Sequence, residues 1–111
     1  MYLDCLEAVK GLTKDLVKIP SIVKTSGESD VAKWIYNYYL GLEYFKQHPE
    51  QVMLQETIND DIERHNAVAV VGGTNGSSDR TIVVMGHLDT VGVDDFGVNR
   101  DAAFDPDRLP E

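Results

Sequence analysis

Chemistry is concentrated in one stretch of this chain, Val83-Val84-Met85-Gly86-His87-Leu88-Asp89-Thr90-Val91. An apolar, β-branched run leads straight into a His-x-Asp sequence. In α/β folds, ligands bind where the chain leaves the carboxyl ends of the strands. His87 stands at such an end, after a glycine that permits close approach. In extended backbone the side chains alternate, so His87 and Asp89 point to the same side. That pairing suits a metal site. Imidazole is a common ligand for zinc and related divalent ions. A neighbouring carboxylate can hold the other ring nitrogen and fix the tautomer, or orient a bound water. The bland alternative is a strand-end histidine beside an aspartate that makes a local turn.

Other chemical readings fail on spacing. Asp95-Phe96-Gly97 matches the metal-binding triplet of protein kinases, but the Gly-rich loop, the Val-Ala-Ile-Lys strand and the catalytic-loop Asn are missing. The aspartates from 94 to 107 lack the alternation and central glycine of a calcium loop and read as a solvated acidic segment. Gly72 to Arg80 is rich in turn residues, yet it lacks the Gly-Lys-Ser/Thr ending of a phosphate loop and precedes a strand rather than a helix. It reads as a hairpin connection. His48 stands before Pro49 in an expected loop, and His65 precedes a strand at the end opposite to His87, so neither completes a metal site.

Taken in order along the chain, several pieces resemble one family. Gly86-His87-Leu88-Asp89-Thr90-Val91 is similar to the first metal motif of the di-zinc amidohydrolases and exopeptidases, a family that includes acetylornithine deacetylases, succinyl-diaminopimelate desuccinylases and related carboxypeptidases. Leu16 to Ser21 followed by Gly27-Glu28 resembles its opening helix and Ser-x-Gly-Glu turn. Arg64-His65-Asn66-Ala67 resembles the Arg-x-Asn entry to its second strand. Val91 to Gly97 and Ala103-Phe104-Asp105-Pro106 look like its arginine-utilisation branch. The resemblance implies that His87 ligates one of two zinc ions, and that Asp89 supports the metal site or the general base without binding metal. It implies hydrolysis of an amide or peptide bond in a small amino-acid derivative, with two cations polarising the carbonyl and a glutamate as base. The family's next motif, with a metal-bridging aspartate, and its Glu-Glu pair do not occur in these 111 residues. The expectation is therefore the N-terminal part, residues 1–111, of such a catalytic domain, inert by itself. The competing expectation is a non-enzymatic small domain or decayed remnant that acts, if at all, by binding a partner.

The elements expected to position His87 follow from periodicity. Tyr2, Cys5, Val9, Leu12, Leu16 and Ile19 recur at spacings of three and four, which predicts an amphipathic helix over 1–19 that Pro20 stops. Ser29 or Asp30 can cap a second helix with Val31, Trp34, Ile35, Tyr38, Tyr39 and Leu42 on its apolar face. Five of the nine aromatic residues lie between Trp34 and Tyr44, and are expected to sit against a sheet. Three strands are predicted at 52–57, 67–71 and 81–85. The last, Thr-Ile-Val-Val-Met, is expected to be central and buried on both faces. The fold class is α/β: two N-terminal helices on one side of a mixed sheet.

Composition narrows the partners. With 10 basic and 19 acidic side chains the formal charge is −9, which disfavours nucleic acid. The longest apolar run is about six residues, against roughly 20 for a membrane helix. Cys5 is the single cysteine, so neither an internal disulfide nor a cysteine zinc cage is available. With no visible signal peptide, a cytoplasmic setting is the expectation. A domain of this size buries only about two-thirds of its unfolded surface. The 81–85 strand is expected to leave an edge exposed in the chain alone, so self-association or marginal stability follows.

Overall fold

The computed structural model describes residues 2–74, 76 and 79–108, with side-chain surroundings described from Asp4 onward. Met1, the side chains of Tyr2 and Leu3, part of the Gly72–Arg80 connection (Asn75, Ser77 and Ser78) and residues 109–111 lie outside the described residues.

Helix α1 spans Tyr2–Val17, α2 Gly27–Gly41 and α3 Glu43–Gln47. A 3-10 turn at Pro49–Gln51 leads into strand β1, Val52–Glu56, which pairs with β2, His65–Ala69. The pairing is antiparallel with Val52 opposite Ala69, Leu54 opposite Ala67 and Glu56 opposite His65. A second 3-10 segment, Asp94–Ala102, is kinked at Gly97, whose φ of 54° lies in the left-handed region that glycine adopts without a Cβ penalty. The chain is thus mixed α/β, as the alternation of helical and strand patterns implies.

Helix α2 is the centre of the fold. It lies against both strands and α3. Its Val31 and Ala32 are buried together with Phe45 of α3 and Val52 of β1. Side chains of Val52 and Leu54 share a sheet face with Ala67, Ala69 and His65, because paired residues point the same way. Ser29 on α2 meets His65 on that face. The small Ala67 and Ala69 let the helix approach. Phe45 sits within an aromatic row, edge-on to Tyr39 at 5.8 Å and to Tyr44 at 5.1 Å. Trp34 stacks on Tyr38 at 5.5 Å.

Three expectations are corrected. First, α1 does not join α2 on the sheet. It makes few contacts with other elements, and of its predicted stripe Cys5 and Val9 are exposed while Leu12 and Leu16 are half-buried. Second, the sheet is a two-stranded antiparallel ribbon among the described residues, not a mixed sheet. Third, Thr81–Met85 forms no strand. Ile82, Val84 and Met85 are each about nine-tenths exposed, at 90%, 91% and 89%. β-Branched residues fit a pleated surface but do not create one; a strand needs neighbours for its N–H and C=O groups. This segment has no strand beside it among the described residues, and the 90s segment that follows it is anchored elsewhere. The radius of gyration is 16.7 Å, against about 13 Å for a compact domain of this length, so the apolar interior is incompletely closed.

Candidate functional site

The His87–Asp89 segment is carried by the turn between α1 and α2. Ile22 and Thr90 form an isolated parallel β-bridge. The Val23 N–H donates to the Thr90 carbonyl at 2.8 Å, and the Thr90 N–H donates to the Ser21 carbonyl at 2.8 Å. Residues just after the His-x-Asp sequence are therefore fixed to residues just after Pro20, which ended α1 as its missing N–H requires.

That turn is itself closely built. Gly27, the first residue of α2, is buried against the Pro20 carbonyl; a Cβ there would lie 1.8 Å from that oxygen. The Thr25 hydroxyl donates to the Ile22 carbonyl at 2.6 Å and accepts from the Gly27 N–H at 3.2 Å. Lys24 takes φ of 63°, a left-handed conformation that costs a non-glycine residue about 1 kcal/mol or more unless its surroundings hold it. Glu28 supplies the hold: its Oε1 accepts the Lys24 backbone N–H at 2.5 Å.

Glu28 is buried, and its other oxygen accepts from Arg64 Nε at 2.5 Å. Arg64 also donates to Asp60 in the β1–β2 connection. The guanidinium lies between two carboxylates. Hydrogen bonding, first to Asp60 and then to Glu28, holds the Arg64 pKa above its ordinary value. The same bond from Arg64, helped by the Thr57 hydroxyl, holds Asp60 well below the usual carboxylate range.

His87 and Asp89 come together. His87 Nδ1 lies 3.2 Å from Asp89 Oδ1 and 3.0 Å from the Asp89 carbonyl oxygen. The His87 side chain is 85% exposed and Asp89 45%. The second ring nitrogen, Nε2, carries no hydrogen bond among the described residues. The arrangement is that of an imidazole with one nitrogen oriented by a carboxylate and the other open. It fits a single metal ligand. It does not make a metal centre: among the described residues no group of three or more His, Cys, Asp and Glu side chains is placed to hold an ion, and a zinc site takes three or four protein ligands.

Beside His87 an open apolar cleft of about 470 Å³ runs between the end of α1, the face of α2 and the segment from Leu88 to Phe104. Leu16, Val31, Ile35, Leu88, Val91 and Phe104 line it. On the surface, Lys14 of α1 makes a 2.6 Å ion pair with Asp107.

The other histidines lie elsewhere. His65, at the start of β2, has its Nδ1 2.8 Å from the buried Ser29 hydroxyl. The same hydroxyl donates to Glu63 at 3.2 Å, and Glu63 is held below its ordinary pKa chiefly by Lys33. Serine and carboxylate both meet the same ring nitrogen, so this is a packing contact rather than a nucleophile oriented by a base. His48 lies against the Tyr44 ring at 4.8 Å. The Glu28–Arg64 pair is what residue-level reading missed. Its partners stand 36 residues apart, and only their positions in the motif order pointed to them.

No protein-family profile matches the chain, and no solved structure matches it. Two curated Bacillus subtilis (strain 168) proteins are similar. Protein RocB is 37% identical over 110 residues, which is 99% of this chain and 19% of that protein. The uncharacterized protein YqjN is 30% identical over 98 residues, 88% of this chain and 17% of that protein. The chain thus spans about a fifth of the length of the relatives it matches, and it is similar to a RocB segment along almost its entire length.

Proposed function

We propose that this chain is the N-terminal part of a zinc-dependent hydrolase of the deacetylase and carboxypeptidase type, acting on an amide or peptide bond in a small, arginine-related amino-acid derivative in the cytoplasm. His87 is one zinc ligand and Asp89 its supporting carboxylate. The carrying observation is the His87–Asp89 pair, with Nδ1 held by the carboxylate and Nε2 open. The likeness to Protein RocB supports the arginine-utilisation branch. The remaining ligands of a two-zinc centre and the general-base glutamate come from outside these residues, so the 111-residue chain alone is inactive and binds zinc weakly.

The test is a graft. This chain replaces the matching fifth of Protein RocB, and the hybrid is assayed for bound zinc and for hydrolysis of N-acyl amino acids, acylated arginine among them. A hybrid that holds zinc and hydrolyses an acyl substrate, and loses both on His87→Ala, supports the reading. A hybrid whose zinc content is unchanged by His87→Ala overturns the ligand assignment. Zinc-dependent hydrolysis by the 111-residue chain overturns its inactivity.

A second reading, a non-enzymatic module that binds a protein partner, is favoured by one observation: the exposed apolar run Ile82–Met85. Such a run is a template for strand addition. We expect the chain to self-associate with rising concentration, and Val83→Lys to shift it toward monomer in size-exclusion chromatography with light scattering. A chain that is monomeric throughout removes this expectation.

A further inference from the structure

We propose that Glu28 is a positioning residue for the His87–Asp89 pair, acting through the Ser21–Lys24 turn, with Arg64 holding Glu28 in place. Neither residue touches His87 or Asp89. Hydrogen bonds and one step along the backbone connect them. Arg64 Nε donates to Glu28 Oε2, and Glu28 Oε1 accepts the Lys24 N–H. Lys24 adjoins Val23, whose N–H donates to the Thr90 carbonyl, and the Thr90 N–H returns to Ser21. Thr90 is the residue after Asp89.

The physical requirement lies at Lys24. A lysine at φ of 63° relaxes to an ordinary conformation unless something holds its N–H. When it relaxes, the course of the chain through the Ile22–Lys24 turn changes, and with it the placement of the Val23 N–H that donates to the Thr90 carbonyl. The Glu28 carboxylate is that hold. It is fixed at one end by the start of α2 and at the other by a guanidinium that Asp60 also orients. The His87 segment is otherwise largely exposed. The bridge to Ser21–Val23 is its backbone anchor among the described residues.

This rests on the reading of His87 and Asp89 as site residues, but the test needs neither metal nor substrate, so the two fail separately. Amide hydrogen exchange is measured by NMR on the chain itself, on Glu28→Gln and on Arg64→Lys. Glutamine keeps the shape of Glu28 and loses its charge; lysine keeps the charge of Arg64 and loses its two-pronged geometry. In Glu28→Gln, exchange at Thr90 and Val23 is expected to rise by about tenfold or more while the Met53 and Val68 amides in the β1–β2 pair change by less than about twofold. Arg64→Lys is expected to give a smaller rise at the same two amides. A Lys14→Met control, which removes a surface ion pair to Asp107, leaves the Val23 amide unchanged. If Thr90 and Val23 keep their protection in folded Glu28→Gln, the proposal is wrong. If all amides accelerate together, Glu28 only stabilises the fold and the proposal is equally wrong. Should Glu28→Gln not fold, Arg64→Lys decides on the same criteria.

Discussion

Replacing Gly27 by alanine is expected to destabilise the chain severely, by about 3 kcal/mol or more, although alanine is the better helix former. A glycine within a helix normally costs about 0.5–1 kcal/mol relative to alanine, so the propensity argument predicts a gain. Here the added methyl would lie 1.8 Å from the Pro20 carbonyl oxygen and 3.1 Å from the Ser21 Cα. Those are backbone atoms. They move only if the turn that follows α1 opens away from the start of α2. Overpacking a well-built site usually costs about 1–3 kcal/mol, and a methyl driven against fixed backbone belongs at or above the top of that range. For a chain of this size the melting midpoint would fall by more than about 10 °C. Gly11 provides the contrast. It lies inside α1, and a Cβ added there would meet nothing within 4 Å, so Gly11→Ala is expected to stabilise by about 0.5–1 kcal/mol. Thermal denaturation followed by circular dichroism measures both. Equal effects of the two substitutions would show that the Pro20–Gly27 contact does not constrain the fold.

The contrast shows which parts of the architecture were legible in the sequence. Helix periodicity and Pro20 placed α1 to within two residues of its observed end at Val17, and β1 and β2 lie within two residues of the predicted strands. Those patterns are local, and local physics decides them. His87 and Asp89, whose side chains lie 3.2 Å apart, stand two residues apart, so their proximity is local as well. What failed was non-local. Thr81–Met85 has the strongest β-propensity of the chain, yet propensity describes how a side chain fits a sheet that already exists. The stripe on α1 predicted a buried face, but a stripe does not name its partner. α1 touches the rest chiefly near Leu16 and Val17, where the apolar cleft begins. The Glu28–Arg64 pair joins the helix turn to the strand entry across 36 residues, and no pattern of spacing within either segment encodes it.

The second large effect is expected at that pair. Arg64→Met removes the guanidinium and leaves Glu28, whose side chain is 9% exposed, with the Lys24 N–H alone. A buried ion pair contributes little net stability, because desolvation offsets attraction, but removing one partner strands the other. The cost belongs to the Glu28 carboxylate and should be about 3 kcal/mol, the low end of what such losses give, since the side of Arg64 reaches solvent. Adding Glu28→Gln to Arg64→Met should therefore recover part of the loss instead of adding to it, which a double-mutant cycle measures directly. Acid provides an independent check. Asp60 is held below its ordinary pKa chiefly by the hydrogen bond from Arg64. A carboxylate depressed in the folded state adds stability that is fully present above its unfolded value, about 3.9, and is lost as pH falls through the folded value. In wild type, stability should decline as pH falls below about 4. In Arg64→Met that part of the decline should be reduced, so the gap between the two proteins is widest near neutrality and narrows in acid. Strictly additive single and double substitutions, or a gap that stays constant from about pH 6 to about pH 3, would mean that Arg64 does not hold these two carboxylates together in solution.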